Sequence, residues 1–162
     1  MDMKKVFLFA VIAFVLFSCK SNELESEVKI YKIGNLTFSY YLSGSKANTY
    51  FAQGEWLIVH MDVKNEGEDT IMVNADYLGH LGLCYDSDNQ LVESMSYINN
   101  DSLPVFKPAF QSTNARFSHA FLIDVSAGTY HFQNPRVVYY TKGNEADLKD
   151  ITLPLTINFE VQ

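Results

Sequence analysis

The stretch WLIVHMDVKN, residues 56–65, decides the fold of this chain. Apolar side chains occupy every second position of it, at Leu57, Val59, Met61 and Val63. This period of two is that of a strand with one buried face. The following residues, 65–69, read Asn-Glu-Gly-Glu-Asp and contain a glycine that tolerates positive φ. We therefore predict a strand over 55–64 and a returning strand over 70–73, joined as a hairpin.

The same kind of short, Val-, Ile-, Tyr- and Phe-rich run recurs along the rest of the chain, separated by turn residues. The predicted strands are 28–33, 36–42, 77–85, 90–95, 116–125, 130–132, 136–141 and 151–161. Pro154 lacks an N–H for pairing, so it predicts an edge or a bulge in the last strand. From these ten segments we expect about eight or nine strands, which predict an all-β, antiparallel β-sandwich over residues 28–162, with a closed barrel as the alternative.

Composition excludes several classes of protein. The chain has 162 residues, of which 48% are hydrophobic and 19% charged, too apolar for intrinsic disorder. Its net charge of −7 disfavours binding to nucleic acid. It contains no nucleophile elbow, zinc-protease helix, phosphate loop or dinucleotide fingerprint. We therefore expect neither an enzyme nor a cofactor.

Residues 1–18 have the pattern of a secretion signal. Lys4 and Lys5 precede an unbroken apolar run, 6–17, of twelve residues. Twelve residues suit a signal peptide, whereas a membrane span needs roughly 20. The run ends in Leu-Phe-Ser-Cys, which resembles a bacterial lipobox and implies that Cys19 carries lipid. A plain signal peptide or an uncleaved anchor is the alternative.

The polar, acidic segment 19–27 has no apolar side chains to bury beyond one leucine and reads as a tether. We expect lipid on Cys19 to hold the protein at the outer membrane of a bacterium. Acidic residues behind the cysteine resemble the surface-export signals of Bacteroides-like lipoproteins, but a solvated linker has the same composition. Cell-surface and periplasmic locations both stay open.

The mature chain resembles a known family. Residues 56–65, 83–90 and 117–125, together with the lipoprotein signal and the acidic tether, are similar to the telokin-like, immunoglobulin-type domain of small bacterial lipoproteins. The resemblance covers roughly residues 28–161. It departs from the family at Pro108-Ala109 and Asn114-Ala115, where glycines are expected. It implies an immunoglobulin-like sandwich acting as an extracytoplasmic binding or scaffold module, with no established chemistry.

Few residues suggest chemistry. His60 and Asp62 lie two apart on one strand face, a spacing that suits a metal site or proton transfer as well as an ordinary solvated face. Methionines at 61, 72 and 95 would suit a soft metal, but Met61 falls on the apolar face and fits the core better. We therefore assign no metal site. Cys84, in an apolar run, is interpreted as a buried hydrophobic residue.

Aromatic side chains form the remaining candidates. Trp56 lies opposite the apolar face of its strand, and the pairs Tyr40-Tyr41 and Tyr139-Tyr140 each place one ring outward. Such rings either contact partners or cover the sheet. The irregular stretch 97–115 contains aromatic residues and two prolines, which favours a partner-binding loop. Its candidate contact residues are Tyr97, Phe106 and Phe110.

Two sites, Thr70 and Ser102, resemble the O-glycosylation pattern of exported Bacteroides-like proteins. Each hydroxyl follows an aspartate and precedes an aliphatic residue.

Two functions follow from these observations. The first is a lipid-anchored extracytoplasmic binding or scaffold module that contacts protein or glycan through its loops. The alternative is an immunity or inhibitor lipoprotein that neutralises an envelope-acting effector or hydrolase, with its acidic charge speeding association.

Overall fold

The computed structural model describes residues 27–44, 50–75, 81–96, 105–111 and 113–162. These residues form twelve strands and one 3₁₀ turn, Glu93–Met95. The strands are β1 (Lys29–Ile33), β2 (Leu36–Gly44), β3 (Tyr50–Phe51), β4 (Trp56–Asn65), β5 (Ile71–Asn74), β6 (Cys84–Asp86), β7 (Lys107–Ala109), β8 (Ala115–Leu122), β9 (Gly128–Gln133), β10 (Arg136–Thr141), β11 (Lys149–Thr152) and β12 (Thr156–Val161). The predicted signal peptide, Cys19, most of the tether, Tyr97 and Ser102 lie outside the described residues.

Three four-stranded sheets build the domain. The first has the order β1-β2-β4-β8, the second β11-β10-β5-β7 and the third β3-β12-β9-β6. Within the described ranges only β3 and β12 pair in parallel; the other pairs are antiparallel. The predicted antiparallel, immunoglobulin-like β-sandwich is confirmed. The strands beyond the predicted eight or nine include β3, β7 and β11, which have two to four residues and too little sequence for a periodic signal.

One hydrophobic core joins the three sheets. Leu57, Val59, Met61 and Val63 of β4 are completely buried, as the alternation predicts. Phe121 of β8 in the first sheet contacts Phe132 of β9 in the third, with ring centroids 5.5 Å apart. Burial of each large side chain contributes about 1.5–3 kcal/mol, so this core holds the domain together.

The predicted hairpin between 55–64 and 70–73 is wrong. Strand β4 pairs with β2 and β8, whereas β5 pairs with β10 and β7 in the second sheet. The cause is the buried side chain of Asn65, whose Nδ2 donates to the carbonyls of Asp69 at 2.6 Å and Ala109 at 3.2 Å. These bonds hold the connection in a shape that carries the chain from one layer to the other.

Two further strand predictions are corrected. Residues 90–95 form no full strand: Leu91 makes a single bridge to Tyr85, and a 3₁₀ turn follows. The carboxylate of Asp86 accepts hydrogen bonds from the N–H groups of Asp88 and Gln90, which closes the chain into a tight turn there.

The predicted strand 151–161 is two strands in different sheets. β11 pairs with β10 at an edge of the second sheet, and β12 lies between β3 and β9 in the third. Pro154 separates them, because it cannot donate to a ladder, and Leu155 N–H donates to the carbonyl of Leu153 at 2.8 Å across it. The proline therefore marks a change of sheet.

Candidate functional site

The outer face of the first sheet is the side turned away from the core. It carries every second residue of β1, β2, β4 and β8, together with the residue before β1. On β2, β4 and β8 the residues in between are buried in the core, except for the half-buried His119. We call this surface the outer face. It comprises Val28, Ile30, Lys32, Thr37, Ser39, Tyr41, Ser43, Trp56, Ile58, His60, Asp62, Lys64, Arg116, Ser118, Ala120 and Leu122.

An ion pair occupies one part of its centre. Asp62 and Arg116 are direct partners across β4 and β8. The guanidinium donates to both carboxylate oxygens, from Nε to Oδ1 and from Nη2 to Oδ2, at 2.7 Å each. Tyr41 donates a third bond to Oδ2 at 3.2 Å. The hydrogen bonds and charge of Asp62 raise the pKa of Arg116, so the guanidinium stays protonated.

His60 occupies the adjacent part of the centre. Its Nε2 lies 2.6 Å from Ser43 Oγ, and its Nδ1 lies 2.7 Å from Ser118 Oγ. Its ring stacks on Tyr41, with centroids 4.8 Å apart and planes 22° from parallel. Partial burial, and then the charge of Arg116, lower the pKa of His60, against an opposing effect of Asp62. The imidazole is therefore neutral at pH 7, with one ring nitrogen donating and the other accepting.

Each polar group at this centre is held by its neighbours. Tyr41, His60, Asp62, Arg116 and the two serines come from three adjacent strands, whose register places them together. Burial, followed by the charge of Asp62, raises the pKa of Tyr41, which keeps its hydroxyl protonated. The arrangement offers a fixed array of donors and acceptors.

Apolar side chains lie around this polar centre. Trp56 and Leu122 are paired at one end of β4 and β8, with 56% and 47% of their surfaces exposed. Ile30 and Val28 lie along the β1 edge, with 59% and 49% exposed. Trp56 is the only tryptophan of the chain, and its outward position agrees with the strand alternation. The outer face thus has polar groups on β2, β4 and β8 and apolar side chains at one end and along the β1 edge.

The structure brings His60 and Asp62 onto one face, as the sequence predicts, but directs them to different partners. Asp62 bonds to Arg116 and Tyr41, and His60 bonds to two serines. In the described part of the chain, no group of three or more His, Cys, Asp or Glu side chains is arranged to hold a metal ion. Sequence reasoning missed Arg116, Ser43 and Ser118, because only the strand register shows that they face these residues.

Two of the loop candidates, Phe106 and Phe110, flank β7 at the edge of the second sheet. Phe106 is half-buried and packs edge-on against Tyr140, with ring centroids 5.0 Å apart. Phe110 is 42% exposed and follows β7, which replaces part of the predicted irregular stretch with an edge strand. Tyr97 is outside the described residues, so a contact role for these three residues stays a prediction.

Of the remaining candidates, Thr70 and Cys84 are among the described residues and Ser102 is not. Thr70 is half-buried just before β5, and its carbonyl accepts from Lys142 N–H at 2.9 Å. Glycosylation of Thr70 and Ser102 stays a prediction. Cys84 is completely buried, and burial raises the pKa of its thiol to about 12, so it behaves as a core residue.

A shallow cleft of about 320 Å³ lies at one end of the sandwich. The β1–β2 turn, the 65–69 connection and two residues of β10 line it; among its lining residues are Asn35, Asn65, Asp69 and Tyr139. Asn65 there already uses both side-chain atoms on backbone groups, donating to two carbonyls and accepting from Gly67 N–H. The side chain of Asn65 therefore serves mainly to hold the connection 65–69 between the first and second sheets.

None of the helical segments in the described ranges is long and apolar enough to cross a membrane.

Comparison with known proteins shows the fold only. The sequence matches no protein-family model and no curated protein. A structural-genomics target of the Northeast Structural Genomics Consortium is similar with a TM-score of 0.50 at 7% identity, covering 81% of this chain and 90% of that one. The C-terminal domain of wzt aligns with a TM-score of 0.48 at 12% identity, covering 84% of this chain and 78% of its own. The first of these two, a distant all-β domain, agrees with the observed architecture.

Proposed function

We propose that this chain is a lipid-anchored binding module of the bacterial cell envelope, and that the outer face of its first sheet is the surface that binds. The observation that carries the proposal is the hydrogen-bonded centre formed by Asp62, Arg116, Tyr41 and His60. Side chains that are already held in place lose little conformational entropy when a ligand binds.

Exposure supports the same assignment. Trp56 is the large aromatic residue with the greatest exposed fraction among the described aromatic side chains, and it adjoins exposed Leu122. Tryptophan is enriched at contact surfaces, because it combines a large apolar area with an N–H donor. An exposed tryptophan about 13 Å along the same strand from a polar array fits a binding site better than a sheet cover.

The proposed anchor comes from the sequence. The apolar run 6–17, the cysteine at 19 and the acidic segment 19–27 support export and lipidation at Cys19. They agree with the resemblance to small, Bacteroides-like lipoproteins that carry a telokin-like domain. In this proposal the protein is held at the outer membrane, and the tether leads into β1 at the edge of the first sheet.

The proposal assigns binding and no catalysis to the outer face. In serine hydrolases, a carboxylate orients the histidine that activates the serine. Here Asp62 is engaged with Arg116 and Tyr41, while His60 has a serine on each ring nitrogen. This arrangement supports a structural role for the imidazole.

Cosedimentation with envelopes tests the proposal. The predicted mature chain 19–162, carrying Cys19→Ser so that no lipid is attached, is mixed with envelopes of the native host. We expect it to sediment with them, and Trp56→Ala to weaken binding by about tenfold or more. The matched control is Tyr50→Ala, because Tyr50 is an aromatic residue of the third sheet with 45% exposure. Equal binding by wild type and Trp56→Ala would contradict the proposal.

A second candidate function is an inhibitor or immunity lipoprotein, which the net charge of −7 favours. An acidic inhibitor associates rapidly with a basic effector, and the association rate falls steeply with salt. Stopped-flow association with a candidate effector at two salt concentrations would distinguish it, since a binding module for uncharged ligands shows little salt dependence.

A further inference from the structure

We infer that the ligand of the outer face is an uncharged glycan. The inference rests on the proposed function and specifies the ligand class for the same surface.

The outer face carries little net charge. Asp62 and Arg116 neutralise each other at the centre of the outer face. At its far end Lys64 pairs with Glu66 at 3.0 Å, and Lys64 and Lys32 both lower the pKa of that carboxyl group. The outer face and Glu66 together hold three positive side chains, Lys32, Lys64 and Arg116, against two carboxylates, so one positive charge is left over at the end away from Trp56. The part of the face between Trp56 and the Asp62–Arg116 pair carries no net charge, although the whole chain is acidic. Electrostatic complementarity favours an uncharged partner here.

The outer face and a typical protein interface differ in how their polar and apolar groups are distributed. Protein interfaces have an apolar, desolvated centre and a polar rim. The outer face differs from this, with His60 and Asp62 on the inner strand β4, Arg116 beside them on the edge strand β8, and apolar side chains at one end and along the β1 edge. A protein partner that covers β4 and β8 would have to desolvate this ion pair, which is costly. A ligand rich in hydroxyl groups replaces the water there with equivalent hydrogen bonds.

The polar side chains of the outer face keep hydrogen-bonding positions that their neighbours do not use. The Asp62 carboxylate accepts three bonds and has room for one more. Arg116, whose side chain is 62% exposed, keeps further N–H donors. The hydroxyls of Ser43 and Ser118 each bond to His60 and retain a second position. Sugar hydroxyls both donate and accept, which matches this mixed and closely spaced set.

Trp56 offers a flat apolar surface to a sugar ring. A pyranose ring has an apolar face made of C–H groups, and a flat indole buries that face well. Trp56 and His60 lie on the same side of β4, four residues apart, which places their Cα atoms about 13 Å from each other. A ligand that contacts both spans several sugar units, so we assign an oligosaccharide or polysaccharide.

The test separates this inference from the proposed function. Envelopes are treated with proteinase K or with periodate, which cleaves vicinal diols in sugars, before cosedimentation with the 19–162 chain carrying Cys19→Ser. We expect binding to survive proteinase and to be lost after periodate. It should also change less than about twofold between low and high salt, because no net charge is neutralised. If proteinase treatment of the envelopes abolishes binding and periodate treatment does not, the glycan inference is overturned while the proposed function stays intact. Failure to bind untreated envelopes would contradict both.

Fluorescence of Trp56 provides a direct second readout, since it is the only tryptophan of the chain. The probe is polysaccharide released from the same envelopes by mild acid, digested with proteinase and separated by anion exchange. We expect the unretained, uncharged fraction to shift the emission of Trp56 to shorter wavelength in a saturable manner. Arg116→Ala should raise the concentration needed by about tenfold, whereas Tyr50→Ala should leave it unchanged. A response to the retained acidic fraction alone would overturn the inference.

Discussion

The guanidinium of Arg116 on β8 forms two parallel hydrogen bonds of 2.7 Å each with the carboxylate of Asp62 on β4. The two residues are 54 positions apart in the sequence and are direct partners in the sheet. This pair sets the local electric field around His60, because its two charges act on that imidazole in opposite directions. Removal of either partner leaves the other charge acting alone.

We expect Arg116→Gln to raise the pKa of His60 and Asp62→Asn to lower it. Arg116 disfavours the protonated imidazole and Asp62 favours it, while burial disfavours it in both variants. An NMR titration of the imidazole resonances measures the change directly. The backbone amides of β9, in the third sheet, are the internal control and should keep the same chemical shifts in all three proteins at each pH. Shifts of equal sign in the two variants would contradict this description of the outer face.

The same depressed pKa gives a direction for stability against pH. The folded state holds fewer protons on His60 than the unfolded state between the folded pKa and the ordinary value of 6.5. The stability contribution is therefore full above pH about 6.5 and is lost as pH falls through this window. The groups facing His60 are Tyr41 and Ser43 on β2, Asp62 on β4, and Arg116 and Ser118 on β8. The melting temperatures of wild type and His60→Gln, plotted against pH, should have different slopes within this window and equal slopes above it.

Val59→Asp should destabilise the domain severely, by about 4 kcal/mol or more, because it places an unpaired charge in the centre of the core. Val59 is completely buried, on the inward side of β4. Ile30→Asp is the matched control: it introduces the same charge where 59% of the side chain is exposed, and should cost less than about 1 kcal/mol. Urea denaturation followed by circular dichroism measures both. Similar costs for the two variants would contradict the assigned faces of the sheet.

The two described aromatic residues of the 97–115 stretch should behave differently. Phe106→Ala should lower the free energy of unfolding by about 1–3 kcal/mol, because its ring packs against Tyr140. Phe110→Ala should lower it by less than about 1 kcal/mol, since 42% of that residue is exposed. If this stretch contacts the partner in place of the outer face, Phe110→Ala weakens binding by far more than its small loss of stability accounts for. Equal loss of stability in both variants would place Phe110 in the core.

Cys19→Ser should abolish membrane attachment of the exported protein. The thiol of Cys19 is the proposed site of lipid, and serine offers no sulfur for the thioether bond. Detergent extraction and mass spectrometry of the N-terminal peptide from native-host membranes check this. An acylated Cys19 peptide is expected from wild type. Recovery of the variant as a processed, membrane-bound protein would contradict lipidation at this position.

Sequence alternation predicted most strands well, because burial of one face imposes a period of two on β2, β4 and β8. It failed for strand pairing. The connection 65–69 reads as a hairpin turn, and only the contact of Asn65 with Ala109, 44 residues away, shows that the chain changes layers there. A similar limit applied to Pro154, whose missing donor predicted an interruption without indicating that β12 joins another sheet.

The candidate site was partly predictable for the same reason. The positions of Trp56, His60 and Asp62 on one face follow from alternation within a single strand. The partners that give the face its chemistry come from β2 and β8, and Ser118 is 58 residues from His60. No local pattern predicts which residues become neighbours across strands. The register of the sheet supplies that information.

Hydroxyl-radical footprinting tests the central claim, that the outer face is the binding surface, most directly. The 19–162 chain carrying Cys19→Ser is oxidised with and without bound envelopes, and mass spectrometry gives the oxidation rate of each aromatic side chain. Trp56, Phe110 and Tyr50 are 56%, 42% and 45% exposed, so each reports on a different surface in the same experiment. We predict that binding protects Trp56 strongly and leaves Phe110 and Tyr50 unchanged. Protection of Phe110 or Tyr50 with no change at Trp56 would contradict the account.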